Sequence, residues 1–339
     1  MNSTIFNEFG KNILITGGNS GIGFYCVINL LKQKNYIYIP VRSISREKDF
    51  LAKLKIYFDM NFLNKYLNII KEIDFSDLEN IKKLSKYTIY KNIKFDILIL
   101  NAGIQYTGSL YPKVSRQGIE LTFAINHLAH FYLTHLFLPQ MNDSSESRII
   151  ITSSDVHNPK SSGGNIGKKA GLNNLENFKE EIIGKYNNFN ADKSYKNSKL
   201  CNILFAKELA KKIEKQKRKI SIISWAPGLV IPNEDLGFFR YSSKFNQMGY
   251  YIFSFFAKHI LGISEIVSEA GKILSEIAMN KDFNKVKYLH LSNQLIAYKK
   301  HKLSEANTSL EANDPKLAKR LWRLSEELCL SFGITLFDL

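Results

Sequence analysis

Short, mostly apolar runs recur along the chain, at residues 13–15, 36–41, 67–73, 95–100, 148–152, 220–225 and 287–291. They are rich in isoleucine and lack polar alternation, as expected for strands covered on both faces. Between them lie stretches with helical spacing: the apolar run 22–31, then 45–61, 117–138, 195–217 and 265–279. A last amphipathic helix is expected over 314–331, opened by Asp314-Pro315 with proline in its first turn. Strands alternating with helices predict an α/β fold, a doubly wound parallel sheet in a single large domain. The pattern weakens over 157–193, which holds Gly163, Gly164, Gly167 and Gly171 and reads as a long insert of loops and short helices. We place the main domain at 1–293 and a C-terminal helical extension at 294–339.

The junctions between these elements carry the chemistry. After the first strand comes Thr16-Gly17-Gly18-Asn19-Ser20-Gly21-Ile22-Gly23. Glycines there allow a tight turn, a close approach to a ligand and an open helix N-terminus that faces a pyrophosphate. The second strand ends at Arg42 with Arg46 nearby and no acidic residue, which favours a 2′-phosphate and hence NADP over NAD. Asp74 is a candidate acceptor for an adenine amino group, while Asp77 reads as a helix cap. The fourth strand delivers Asn101-Ala102-Gly103 into a turn, and the sixth closes on Pro227-Gly228.

Tyr195 and Lys199 stand four apart on one expected helix and so share a face. A neighbouring ammonium favours the phenolate and brings the tyrosine toward useful proton exchange. Ser154 at a strand exit can hydrogen-bond a reacting oxygen, and Asn126 can hold a water that relays a proton. Cys201, two residues past Lys199, reads equally as a proton-transfer partner or a small core residue. His127 and His130 stand three apart on a helix, yet no cysteine or acid completes a metal site, so they are read as packed.

Composition narrows the setting. The 339 residues are 45% hydrophobic and 12% aromatic, globular values without low-complexity tracts. The formal charge of +16 comes from scattered lysines, so a solvated surface is preferred over nucleic-acid binding. The dense lysine run 211–219 is a candidate contact for a membrane surface. Cys26, Cys201 and Cys329 suggest neither a disulfide framework nor zinc, and fit a reducing compartment. No basic-then-apolar leader is visible, and the densest apolar run, 250–257, is too short to span a bilayer. A soluble cytoplasmic protein is expected, with peripheral membrane contact and homo-oligomerisation both left open. Nine aromatics over 238–256 suggest a lid over an apolar substrate, within a broader segment 229–262; core-packing helices are the alternative.

Taken together, Thr16-Gly17-x-x-x-Gly21-x-Gly23, Asn101-Ala102-Gly103, Asn126, Ser154 and Tyr195-x-x-x-Lys199 resemble the motifs of short-chain dehydrogenases/reductases over residues 12–293. The resemblance implies a Rossmann-like fold, NAD(P)(H) as cofactor, and Asn126, Ser154, Tyr195 and Lys199 as catalytic tetrad. A narrower resemblance is to light-dependent protochlorophyllide reductases. It rests on the long insert, on Ser194-Tyr195-Lys196-Asn197-Ser198-Lys199-Leu200-Cys201-Asn202, and on the C-terminal helix around Trp322. It implies hydride transfer from NADPH to a ring double bond of protochlorophyllide, with the proton from Tyr195, directly or through Cys201. The Asn101-Ala102-Gly103-Ile104-Gln105 turn favours the alternative, a reductase or dehydrogenase of an apolar carbonyl or alcohol, retinoid- or isoprenoid-like. A non-catalytic NADP-binding regulator is the third reading, opposed by the intact tetrad.

Overall fold

A computed structural model describes residues 10–183, 189–231, 247–255, 257 and 261–336. Its centre is a sheet of eight strands in the order β10-β9-β6-β5-β4-β1-β2-β3. The strands are β1 (Asn12–Ile15), β2 (Tyr36–Pro40), β3 (Leu67–Ile70), β4 (Ile97–Leu100), β5 (Arg148–Thr152), β6 (Ser221–Ala226), β9 (Tyr288–Ala297) and β10 (Lys300–Glu305). A separate small pair joins β7 (Leu229–Val230) and β8 (Ser264–Glu265). All neighbours in the main sheet are parallel except β9 and β10, which pair antiparallel at the edge.

The interior strands are what their composition requires. Every residue of β4, β5 and β6 is buried, and Ile13 lies between Ile37 of β2 and Ile97 of β4 in register. Because the chain runs outward from β1 through β2 to β3 and then returns to place β4 on the other side of β1, the strand order reverses there. That reversal opens a crevice beyond the carboxyl ends of β1 and β4, the place where open α/β sheets hold ligands.

Two apolar cores lie on opposite faces. One is built around Ile13, Ile15, Val27 and Leu31 and is covered by α1 (Gly21–Lys32), α2 (Ile44–Leu54) and α10 (Val267–Met279). The other gathers α4 (Leu78–Tyr90), α6 (Ala129–Phe137), α8 (Ala191–Lys215) and α11 (Pro315–Ser331). Asp314 caps α11 by accepting from the N–H groups of Lys316 (2.8 Å) and Leu317 (3.3 Å). The apolar face of α11 lays Trp322, 3% exposed, against Phe131 (ring centroids 4.9 Å) and Phe205 (5.8 Å).

Several elements differ from the sequence expectation. The helix expected over 45–61 is two, α2 and α3 (Met60–Tyr66), because Asp59 caps a new N-terminus by accepting from Phe62 N–H. The helix expected over 117–138 starts only at α5 (Leu121–Phe123), capped by Glu120, and passes through a π-helical turn, Ala124–Leu128, before α6. The sheet continues past residue 293, through the end of β9 and all of β10, so the segment 294–339 is not purely helical. The insert contains α7 (Phe178–Ile182), and α8 already begins at Ala191. Most of the aromatic segment lies outside the described residues; within it α9 (Gln247–Phe255) is described. No helix among the described residues is long and apolar enough to cross a membrane.

Candidate functional site

A cavity of about 1690 Å³ opens along the carboxyl ends of the strands. At one end its wall is the turn after β1, with Gly17, Asn19, Ser20, Gly21, Ile22 and Gly23. Gly17 has φ +66°, and a Cβ there would come within 2.9 Å of Ala102 Cα, so the two turns touch through glycine alone. Gly21 has φ +54°, and a Cβ there would meet nothing within 4 Å. The start of α1 is thus open toward the cavity. Ser20 makes no side-chain cap and the first turn carries no acid, which leaves N–H groups and the positive end of the helix for an anion. Arg42, Arg46 and Asp74 line the same end. Asp74 Oδ1 accepts from Ser76 N–H at 2.9 Å and from the Ser76 hydroxyl at 2.8 Å. These surroundings fit a dinucleotide with an extra phosphate.

A hydrogen-bonded hub that the motifs did not reveal fixes the two turns. Thr16 Oγ1 accepts from the N–H groups of Asn101 (2.8 Å) and Ala102 (2.9 Å). It also lies 2.9 Å from Nε2 of His130, whose Nδ1 lies 3.1 Å from the carbonyl oxygen of Asn126. A carbonyl only accepts, so Nδ1 carries the proton, and with burial pushing His130 down to about 4 the ring is neutral and Nε2 accepts. The Thr16 hydroxyl is therefore the donor to His130. One histidine, expected only to be packed, joins the glycine turn, the Asn-Ala-Gly turn and the π-helical turn.

Asn126 is fully buried within that π turn. Its Oδ1 accepts from Ile104 N–H (2.8 Å), and its Nδ2 donates to Ile104 O and Ser198 Oγ, both at 3.0 Å. Both ends of the side chain are engaged by protein, so the amide acts as a bracket rather than as the water holder expected from sequence. A Cβ at Gly103 would lie 3.4 Å from Asn126 Oδ1 and 3.7 Å from Lys199 Nζ, which places the amide and the ammonium on either side of this small residue.

On the cavity wall beyond Gly103 stand Ser154, Tyr195 and Lys199. The Ser154 hydroxyl hydrogen-bonds the Tyr195 phenol, yet burial dominates and raises the phenol above its ordinary range. Lys199, 3% exposed, puts Nζ 5.7 Å from the Tyr195 ring centroid and donates to Thr152 O at 3.2 Å. Burial pushes its ammonium down to about 8. Pro227 and Gly228 close the wall after β6. Cys201 is not among the lining residues. It is fully buried in the apolar core behind α8, and burial raises its thiol further, so the structure does not bring it to the site.

The insert is fastened over this end of the cavity. The Lys196 ammonium, 3% exposed, holds Asp192 at 2.9 Å and donates to Lys168 O at 2.9 Å and to Ile166 O. His157 donates from Nδ1 to Ser154 O at 2.7 Å and accepts at Nε2 from Ser309 N–H at 3.2 Å, which fixes its tautomer.

Residues 11–166 match the family model for short chain dehydrogenases. Over that part the chain is similar to short-chain dehydrogenases. Across a wider span the protein is 30% identical over 230 residues to Retinol dehydrogenase 14 of Mus musculus, an alignment that covers 66% of this chain and 62% of that protein. It is 27% identical to the chloroplastic protochlorophyllide reductase of Cucumis sativus, over 94% of this chain and 77% of that one. Among solved structures, an uncharacterized protein from Mycobacterium Paratuberculosis superposes with a TM-score of 0.68 at 20% identity, covering 98% and 96% of the two chains. The Pseudomonas aeruginosa RhlG/NADP active-site complex superposes at 0.59 and 19% identity, covering 85% and 96%. The likeness to these structures is one of fold, and the fold is the parallel sheet with its crevice expected from the strand pattern.

Proposed function

We propose that the protein is an NADPH-dependent reductase of a large apolar carbonyl compound, retinoid- or isoprenoid-like, with Tyr195 as proton donor. The reading is carried by one arrangement: the Ser154–Tyr195 hydrogen bond and the buried Lys199 ammonium lie on the same cavity as the open glycine turn. Arg42 and Arg46 would pair with the 2′-phosphate, and the N–H groups at the start of α1 with the pyrophosphate. When bound, NADPH supplies a hydride.

The chain supplies the rest. Ser154 and Tyr195 hold the carbonyl oxygen between two hydroxyl groups. With its phenol raised by burial, Tyr195 stays protonated near neutral pH, as a proton donor to a developing alkoxide must. The Lys199 ammonium, pinned by Thr152 O, stabilises the phenolate that remains. Asn126 holds Ile104 and Ser198 and thereby the approach of the Asn101-Ala102-Gly103 turn to α8.

A second reading, reduction of a ring double bond of protochlorophyllide, is favoured by similarity to such reductases along 94% of the chain and by the size of the cavity. It would use Tyr195 and not Cys201, which is buried elsewhere. The test is direct. Purified protein with NADPH is offered retinal- and farnesal-type aldehydes in darkness, and protochlorophyllide in darkness and after a flash. NADPH oxidation with the aldehydes supports the first reading, and a light-dependent red shift of the pigment band supports the second. Tyr195→Phe should lower turnover by about 10²–10⁴-fold while NADPH affinity, read from nucleotide fluorescence, changes less than about threefold. Loss of nucleotide binding in that variant would contradict the role given to Tyr195.

A further inference from the structure

Two carboxylates stand near the reacting end of the cavity, and they are treated differently by the fold. Asp192 is neutralised by Lys196 at 2.9 Å. Asp155, the residue after Ser154, lines the cavity and has no basic partner among the described residues. Its two oxygens share one donor, the Ser292 hydroxyl of β9, at 2.9 Å each. A single hydroxyl proton leaves most of the acceptor capacity of a carboxylate unfilled. Burial also raises this carboxyl above the usual range, as expected for a charge enclosed without compensation. The cavity's lysines on the insert, Lys160 and Lys168, are exposed and make no ion pair with it. Such a group accepts hydrogen bonds well and repels a second carboxylate strongly.

We propose that Asp155 is a specificity determinant, selecting substrates that present a hydroxyl or other hydrogen-bond donor beside the reacting carbonyl and rejecting those with a carboxylate there. The selection rests on the reductase reading above and deepens it by naming the substrate class: neutral, hydroxyl-bearing apolar carbonyl compounds. Ser292 is the positioning residue that orients the carboxylate.

The experiment uses three apolar aldehydes of the same chain length, one unsubstituted, one with a hydroxyl and one with a carboxylate near the carbonyl. Each is measured for kcat/KM with NADPH and for equilibrium binding to the NADP⁺-loaded protein. In the wild type the hydroxylated compound is expected to lead, and the carboxylate to trail it by roughly a hundredfold. Asp155→Asn should raise the ratio of kcat/KM for the carboxylate compound to that for the hydroxylated one by about tenfold or more, a change in selectivity that a merely structural role would not produce. Equal handling of carboxylate and hydroxyl compounds by the wild type overturns the proposal without any variant being needed. So does an unchanged ratio in Asp155→Asn. If none of the three aldehydes is reduced, the reductase reading fails, and the binding ratios still decide the role of Asp155.

Discussion

Replacing Lys199 by methionine should make the protein more stable and nearly inactive. The native ammonium is buried, and desolvation alone takes it from 10.5 to about 8. At about 1.4 kcal/mol per pH unit, that gap is a destabilisation of roughly 3 kcal/mol in the charged state. Methionine fills the same channel without a charge. It forfeits the bond to Thr152 O, worth about 1 kcal/mol, but that oxygen keeps Asn202 Nδ2 at 3.1 Å. Loss of the ammonium over the Tyr195 ring costs about 0.5–1 kcal/mol more. The net gain is roughly 1–2 kcal/mol, a rise in Tm of about 1–3 °C for a chain of this length.

The sign with pH is fixed by the direction of the shift. Below pH 8 the lysine is charged in both folded and unfolded chains, and the wild type carries the full burial cost. As pH climbs from about 8 to 10.5 the folded state sheds its proton first, so the wild type gains stability and the difference closes. Thermal and urea unfolding of both proteins at pH 7 and pH 10, beside kcat with the best aldehyde, measure this. Equal or lower stability of Lys199→Met at pH 7, or a gap that persists unchanged to pH 10, would refute the burial argument. Turnover should fall by about 10²-fold or more.

Arg42→Ala should weaken NADPH binding by about tenfold or more and leave NADH nearly untouched; equal losses for both nucleotides would remove the 2′-phosphate contact from the reading. Trp322→Ala should cost about 3–5 kcal/mol, seen as a lower urea midpoint, because the indole is 3% exposed between Phe131 and Phe205. A shift below about 1 kcal/mol would mean that α11 packs more loosely than its rings indicate.

The parts of the fold read correctly from sequence are those where a single physical signal suffices. Residues 97–100 and 148–152 are buried on both faces, and their apolar runs state it. β10 was missed because Lys300–Glu305 reads Lys-His-Lys-Leu-Ser-Glu, an edge strand whose side chains are largely solvated and so carry no apolar alternation. The break at Asp59 was missed because helical spacing continues across it while the cap restarts the hydrogen bonds. Gly17, Arg42, Asn101, Ser154, Tyr195 and Lys199 each sit at a strand exit or on a motif face, and all line the same cavity. Cys201 was misplaced by proximity in sequence: two residues beyond Lys199 on a helix is the opposite side, toward the core. Asp155, His130 and His157 matter through partners far away in the chain, Ser292, Thr16 and Ser309, and no local pattern announces such pairings.

The closing role of α11 also sets an order of events. α8, which displays Tyr195 and Lys199, is backed by the indole of Trp322 on α11, translated more than a hundred residues later. A growing chain can pair β1, β2 and β4 and form the turns at Gly17 and Asn101 while Phe131 and Phe205 still lack their cover. Through that interval the nascent protein shows an aromatic surface to its surroundings, and α11, emerging long after α8, is the helix that withdraws it.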